Sequence, residues 1–124
     1  MASVELTAEN FDSTITGNEI VVVDFWADWC GPCKMFAPTF EAASEKDPEI
    51  VFGKVDTEAE QSLAAAAGIQ SIPTLMVFRE KVLLFSQAGA LPPAALEDLI
   101  TQVKGLDMKA VHAEIAKQQA EVID

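Results

Sequence analysis

The hydrophobic pattern of the chain alternates short apolar runs with helical spacings, which is typical of a sheet whose strands are joined by helices. The run at residues 20–26 is too continuous for the exposed edge of a sheet and predicts a buried strand. Shorter apolar runs predict further strands, the first of them at a sheet edge, at residues 3–6, 50–55, 74–78 and 82–88.

Helices are predicted where apolar residues recur three or four positions apart. The predicted segments are residues 8–15, 33–46, 57–67 and a last helix that opens at Leu91-Pro92-Pro93 and ends at Gly105. Because a helix joins the strands at 20–26 and 50–55, those strands should be parallel. We therefore expect the α/β class, with a central mixed sheet and helices on both faces.

Some residues in these helices have specific predicted roles. Thr7 suits the N-cap of the first helix, and Gly68 suits the end of the third. In the second helix, Pro38 must introduce a kink, because proline removes one backbone hydrogen bond. The apolar stripe of that helix is predicted to consist of Met35, Phe36, Phe40 and Ala43.

The chain continues past Gly105 into a segment with its own helical pattern. Asp107 suits an N-cap, and apolar residues recur at Met108, Val111, Ile115 and Val122. We expect a main domain at residues 1–105 and a helical extension at 106–124 that packs on it. His112 lies beside the stripe and is expected at its rim.

Composition limits the classes of partner. At 124 residues the chain suits one domain, and it has a formal net charge of −12 that would be repelled by nucleic acid. No window of about 18 continuous apolar residues exists, so we expect no contact with a membrane. The start, Met1-Ala2-Ser3-Val4-Glu5, lacks a basic and an apolar signal region, so we expect a cytoplasmic protein.

The candidate chemistry follows the buried strand, at Cys30-Gly31-Pro32-Cys33. The strand delivers both thiols to the start of a helix, where unpaired N–H groups and aligned peptide dipoles stabilise a thiolate at Cys30. Two intervening residues bring the sulfurs onto one helical turn, close enough to bond. Pro32 suits an early helix position, and Gly31 leaves the neighbouring sulfur uncovered for a macromolecular partner.

Two other uses of this spacing are less favourable. A zinc site needs four ligands, and besides the two cysteines the chain offers only His112, far away in sequence. A static disulfide over so short a loop constrains little unfolded-chain entropy. In a cytoplasmic protein the spacing favours redox catalysis.

The residues around the cysteines resemble the active-site segment of thioredoxins almost residue for residue, at Trp26-Ala27-Asp28-Trp29-Cys30-Gly31-Pro32-Cys33-Lys34. The resemblance extends from about residue 4 to residue 103, in the family's order. It includes Asp24, Pro38, Lys54, the segment Gly68-Ile69-Gln70-Ser71-Ile72-Pro73-Thr74 and Gly89-Ala90. The chain is thus identified as a member of the thioredoxin family.

The resemblance implies a reductase of protein disulfides. Cys30 would attack the disulfide of a partner, and Cys33 would resolve the mixed disulfide. Asp24, buried with a raised pKa, would shuttle protons for Cys33, and Lys54 would be its counter-charge. The alternative is that Asp24 is an exposed acid and Lys54 an ordinary solvated lysine. The partner groove would be lined by Trp29, Gly31, Pro32, Ile72, Pro73 and Gly89.

Cofactor and partners follow from the same resemblance. We expect no bound cofactor and no metal, a monomer, and reducing equivalents from NADPH through a flavin-dependent thioredoxin reductase. The Ile72–Pro73 bond is expected to be cis, although trans is the commoner form, and to leave the Ile72 backbone free to pair with a substrate strand. An oxidase or isomerase of the same fold, and a scaffold that binds through the C-terminal extension, remain the alternatives.

The hairpin between the last two strands departs from the family, which usually has glycine there. This chain has Arg79-Glu80-Lys81 instead. A two-residue turn of the primed type would force positive φ angles on side-chain-bearing residues. We expect a longer or a strained turn.

Overall fold

The structure is a computed structural model that describes residues 2–123, and the side chains of residues 2–121. Five strands form one sheet in the order β1-β3-β2-β4-β5. They are β1 Val4–Glu5, β2 Ile20–Trp26, β3 Val51–Asp56, β4 Thr74–Arg79 and β5 Val82–Ala88. β2 runs parallel to β3 and antiparallel to β4, so the predicted mixed sheet and its central buried strand are confirmed.

Helices cover both faces of the sheet. They are α1 Phe11–Gly17, α2 Gly31–Lys46, α3 Gln61–Ala66, α4 Pro93–Lys104 and α5 Met108–Ile123. One core lies between the sheet and α2 and α4, and includes Phe36, Phe40 and Leu96. The other packs Phe25 and Val55 among residues of α1 and α3.

Side chains of β2 alternate between these two cores. Ile20 and Val22 belong to the core of α2 and α4, whereas Val21 and Val23 belong to the opposite one. By the period of two in a strand, Asp24 continues the face beneath α2. This places a carboxyl group under the helix that carries the cysteines.

The first helix begins later than predicted, and Thr7 is not its N-cap. Residues 8–10 form turns, and the N-cap position belongs to Asn10. The Asn10 side chain accepts a hydrogen bond from the Thr7 N–H at 2.7 Å, and the Thr7 carbonyl accepts one from the Phe11 N–H. These local bonds offer the backbone an alternative to helix over three residues.

The third helix is also shorter than residues 57–67. Asp56 Oδ1 accepts hydrogen bonds from the N–H groups of Glu58 and Ala59, which holds this stretch in a turn. Gly68 has a φ of 73° and its N–H donates to the Ala65 carbonyl, so its predicted place at the helix end is confirmed.

The stripe predicted for α2 contains one error. Phe36, Phe40 and Ala43 are buried, but Met35 is 79 % exposed. Met35 follows Gly31 by four residues, so both lie on the same, outward face of the helix.

Of the two expected forms of the hairpin turn, a longer one and a strained one, the structure has the strained one. Glu80 has a φ of 51° and Lys81 a φ of 70°, and the flanking strands shift register between Val77 and Phe78. Both residues thus lie in the left-handed region, which is unfavourable for residues with a Cβ.

The extension forms the predicted helix α5. Asp107 Oδ1 accepts a hydrogen bond from the Ala110 N–H at 3.2 Å. Met108 is buried, Val111 and Ile115 are half-buried, and the side chain of Val122 lies outside the described residues. The division into two domains stays a prediction.

A polar contact connects α5 to the hairpin turn. His112 Nε2 lies 2.9 Å from Glu80 Oε1, so His112 sits at the rim of the helix's buried stripe. No described helix is both long and apolar enough to cross a membrane.

Candidate active site

The two cysteines form a disulfide where β2 leads into α2. Their Cα atoms are 5.2 Å apart, within the usual range for a disulfide. Cys30 occupies the N-cap position of α2, and its Sγ accepts a hydrogen bond from the Cys33 N–H at 3.2 Å. After reduction the same donor and the helix N-terminus would stabilise a thiolate at Cys30.

The sequence explains why the helix begins at this point. Gly31 and Pro32 fill the first helical positions, where the missing N–H of proline leaves no bond unmade. Pro38 lies farther inside the helix, where it removes one backbone hydrogen bond. The disulfide therefore lies on the first turn of a long helix.

A groove of about 640 Å³ opens beside Cys30. Its lining residues carry no formal charge and come from the cysteine segment, the loop after β3, helix α3, and the segment before β4; they are Trp29, Cys30, Gly31, Pro32, Thr57, Gln61, Ala64, Ala65, Ile69, Gln70, Ser71 and Ile72. Cys33 is absent from this lining. Both cysteines are only 3 % exposed, so the groove is the side from which Cys30 can be reached.

Four of the predicted groove residues line it. Trp29 is 68 % exposed and its Nε1 donates to Glu58 Oε1 at 2.6 Å. A Cβ added to Gly31 would meet no atom within 4 Å, so the backbone beside the sulfur is open. The Ile72 carbonyl oxygen lies 3.8 Å from Cys30 Sγ. Because that sulfur carries no hydrogen in the disulfide, this is a contact and not a hydrogen bond.

Pro73 and Gly89 lie outside the lining but next to it. The Ile72–Pro73 peptide bond is cis, as predicted. The Pro73 carbonyl accepts a hydrogen bond from the Gly89 N–H at 2.8 Å, and Gly89 has a φ of 107°. The start of β4 and the end of β5 are thereby joined beside the disulfide.

Asp24 is a fully buried carboxyl group. Neither of its oxygens has a hydrogen-bond partner among the described residues. Burial raises the pKa of Asp24 to about 7, and the charge of Lys54 opposes this rise. Lys54 stands opposite Asp24 on β3, and its Nζ lies 5.0 Å from the centre of the Trp26 ring. The site therefore contains a group that can take up or release a proton near neutral pH.

The thioredoxin family model matches residues 2–102. The chain belongs to the thioredoxin family. A putative thioredoxin 2 from Streptomyces coelicolor is 60 % identical over 120 residues, which cover 97 % of this chain and 90 % of the relative. Thioredoxin of Bacillus subtilis is 38 % identical over 103 residues, which cover 82 % of this chain and 98 % of the relative.

Solved thioredoxin structures have the same fold. A mutant thioredoxin from Halobacterium salinarum superposes with a TM-score of 0.77 at 33 % identity, and the match covers 84 % of this chain and 91 % of that one. Plasmodium falciparum thioredoxin gives a TM-score of 0.74 at 37 % identity, with 81 % and 97 % covered. The predicted thioredoxin fold is confirmed.

The chain is a thiol–disulfide oxidoreductase, and Cys30 and Cys33 are its redox pair. Its family acts on partners that contain disulfides. Helix α5 begins beyond the family match, yet an alignment of 120 residues with the Streptomyces relative must reach into it. A similar C-terminal sequence is therefore present in at least one relative of the chain.

One wall of the groove was not predicted from the sequence. Thr57, Gln61 and Ala65 come from the loop after β3 and from α3. The predicted parallel pairing of β2 and β3 could have indicated this wall, because parallel strands bring their carboxyl ends to the same sheet edge. The loop after β3 therefore had to lie beside the cysteines.

Among residues 2–123, no group of three or more His, Cys, Asp and Glu side chains is arranged to hold a metal ion. Both cysteines bond to each other, so neither is available as a ligand in this state.

Proposed function

We propose that the chain reduces disulfides in partner proteins. The observation that carries this proposal is the asymmetry of the pair, since Cys30 lines the open groove and Cys33 does not. In the reduced chain the Cys30 thiolate attacks one sulfur of the partner's disulfide. A bond forms between Cys30 and that sulfur, and the partner's other sulfur departs as a thiolate and takes a proton from water.

Cys33 then resolves the mixed disulfide. It gives its proton to Asp24 and attacks Cys30 Sγ. The bond between Cys30 and the partner breaks, and the partner's second sulfur leaves as a thiolate that takes a proton from water. The two electrons have passed to the partner, and the chain is left with the Cys30–Cys33 disulfide. A carboxyl group with a pKa of about 7 suits this proton transfer at neutral pH. Lys54 stabilises the ionised form of Asp24.

The partner would bind as an extended segment in the groove. The Ile72 backbone, which borders the start of β4, would pair with it as an added strand. Trp29, Gly31 and Pro32 would contact it on the side of α2, and Pro73 and Gly89 on the side of the sheet. The uncharged lining of the groove suits apolar and polar segments of varied sequence.

The reducing equivalents would come from NADPH through a flavin-dependent thioredoxin reductase, so the chain itself would need no bound cofactor. It would act as a monomer in the cytoplasm and contribute to redox homeostasis there. The family match supports this cycle, because the family takes part in disulfide exchange.

A coupled assay tests the proposal. With NADPH, a thioredoxin reductase and insulin, the chain should accelerate loss of insulin disulfides, whereas a scaffold would leave the rate unchanged. NADPH consumption and insulin precipitation are the two readouts.

Two variants test the order of attack. Cys30→Ser should abolish reaction with a disulfide-containing peptide, and Cys33→Ser should accumulate a mixed disulfide because nothing resolves it. Mass spectrometry of each variant after mixing distinguishes these results. Trapping of the peptide by the Cys30→Ser chain would reverse the roles of the two cysteines.

A further inference from the structure

The most exposed large hydrophobic side chains of the described chain flank the disulfide. Large hydrophobic residues at the surface are Val4, Trp29, Met35, Leu83 and Leu106. Met35 is 79 % exposed and Trp29 is 68 % exposed, whereas the other three reach at most 46 %. A single exposed apolar residue is ordinary, but here the two largest values occur on either side of one reactive group.

Helix geometry places Met35 on the face of α2 that carries Gly31 and Pro32, the two residues between the cysteines. Met35 follows Pro32 by three residues and Gly31 by four, so the three share one face of α2. Side chains of an α-helix lean toward its N-terminus, and the thioether therefore covers the turn that begins with Gly31. Met35 is absent from the groove lining, which contains Gly31 and Pro32. It consequently extends the exposed apolar surface beyond the groove, along α2.

We propose that Met35 is a partner-binding residue, which contacts the protein whose disulfide is being exchanged at Cys30. This inference rests on the proposed function. The partner's sulfur must reach Cys30, so its surface must also approach the Gly31–Met35 face that adjoins the sulfur. A methionine suits this contact, because its flexible and polarizable side chain adapts to surfaces of different shape.

A second copy of this chain is a poorer occupant of the same surface. Each copy has a formal net charge of −12, so two copies repel each other. A partner protein that exposes a disulfide is brought to this face by the reaction itself. Trp29 would then bind the partner on the groove side of the disulfide, and Met35 on the other side.

The test compares two substrates and four proteins. The substrates are insulin, which has a surface around its disulfides, and 5,5′-dithiobis(2-nitrobenzoic acid), which is too small to reach Met35 while it reacts. The proteins are the parent, Met35→Gln, Met35→Leu and Leu83→Gln. Methionine, glutamine and leucine have similar helix propensities, so α2 should be unaffected. Leu83→Gln also removes an exposed apolar residue, but at the hairpin end of β5.

Met35→Gln should lower kcat/KM for insulin by about five-fold to ten-fold, because a buried apolar contact is lost. Met35→Leu and Leu83→Gln should stay near the parent. All four proteins should reduce the small disulfide equally. An unchanged insulin rate in Met35→Gln, or an equal loss on both substrates, would overturn the assignment. If the parent reduced the small disulfide but not insulin, the proposed function would fail, and with it the binding role.

Sedimentation of the parent and of Met35→Gln tests the rival occupant. Both should remain monomers at assay concentrations. A parent dimer that Met35→Gln abolishes would assign this face to a second copy and overturn the proposal.

Discussion

The two ends of strand β2 differ in how an ionisable side chain is hydrogen-bonded there. Near the disulfide end, the carboxyl group of Asp24 is buried without a hydrogen-bond partner among the described residues. At the other end, Arg79 stands opposite Ile20 and donates hydrogen bonds to three carbonyl oxygens. It also pairs with Glu19 at 3.1 Å. One end therefore leaves a polar group unsatisfied, and the other satisfies a charge almost completely.

Asp24 serves the reactive site, whereas Arg79 stabilises the packing of the strands against the end of α4. The bonds of Arg79 reach the carbonyls of Val103, Lys104 and Leu106, where α4 ends and the extension begins. A cation at a helix C-terminus stabilises both the free carbonyls and the helix dipole. Asp24 does the reverse, because its ionised form lacks the solvation that water would give it. The same burial that destabilises the ionised form raises the pKa of Asp24 to about 7.

The largest expected effect on stability is at the disulfide end. The folded-state pKa of Asp24, about 7, lies above the ordinary value of 3.8, so the folded chain binds the proton more tightly than the unfolded chain. The stability of the parent should therefore fall as pH rises from about 4 to about 7, and level off above that. Asp24→Asn never ionises, so it should be more stable than the parent by roughly 4 kcal/mol above pH 7.

Urea unfolding of both proteins between pH 4 and pH 8 measures this difference. Asp28→Asn is the matched control, because Asp28 is exposed and close by, and its substitution should change little. Release of reduced substrate should be slower in Asp24→Asn. A gap between Asp24→Asn and the parent that does not vary with pH would contradict the account.

At the hairpin end, Arg79→Met should destabilise the fold by about 2 kcal/mol. The substitution keeps the apolar stem but leaves three carbonyls and Glu19 without their partner. Reduction of insulin should remain near the parent rate, because the disulfide lies at the other end of β2. Lys81→Met provides the control, since Lys81 is exposed in the same turn. An equal loss of stability in both variants would mean that the hydrogen bonds of Arg79 contribute little.

Truncation after Lys104 should have a smaller effect. It removes the Leu106 carbonyl from Arg79, the contact between His112 and Glu80, and the buried side chain of Met108. We expect a loss of about 1–2 kcal/mol, seen as a Tm lower by a few degrees, with insulin reduction nearly intact. A large loss of reductase activity in a folded truncated chain would instead favour a partner-binding role for α5.

The smallest expected effect concerns the turn itself. Lys81 has a φ of 70°, which costs a residue with a Cβ about 1 kcal/mol relative to glycine. Lys81→Gly should therefore stabilise the hairpin by up to about 1 kcal/mol. Calorimetry of the variant and the parent provides the comparison, and a lower Tm in Lys81→Gly would show that the Lys81 side chain contributes more than the strain costs.

Most of the fold could be predicted from local patterns. The apolar run of β2 and the Gly31-Pro32 start of α2 depend on residues that are adjacent in sequence. The resemblance to thioredoxins then indicated the cis bond before Pro73. The exposure of Met35 could not be predicted in this way, because it depends on which side of α2 faces the sheet. The start of α1 was predicted three residues too early, because the side chain of Asn10 competes for the backbone.

The candidate site was predictable to a similar degree. Cys30, Cys33 and Asp24 follow from one stretch of sequence. The wall formed by Thr57, Gln61 and Ala65 depends instead on sheet order, which brings the end of β3 beside that of β2. The hydrogen bonds from Arg79 to the end of α4 likewise join residues 24 or more positions apart. Nothing in the local sequence pattern indicates these bonds.

The ionisation of Asp24 tests most directly the claim that the disulfide end holds an unsatisfied acid. The side-chain carboxyl carbon of Asp24 can be followed by NMR in the oxidised chain as pH is raised, with Asp24→Asn to assign the signal. We expect a midpoint at about pH 7, because burial outweighs the charge of Lys54. A midpoint near 3.8, the ordinary value for an aspartate, would mean that the carboxylate is solvated or fully compensated, and would contradict the account.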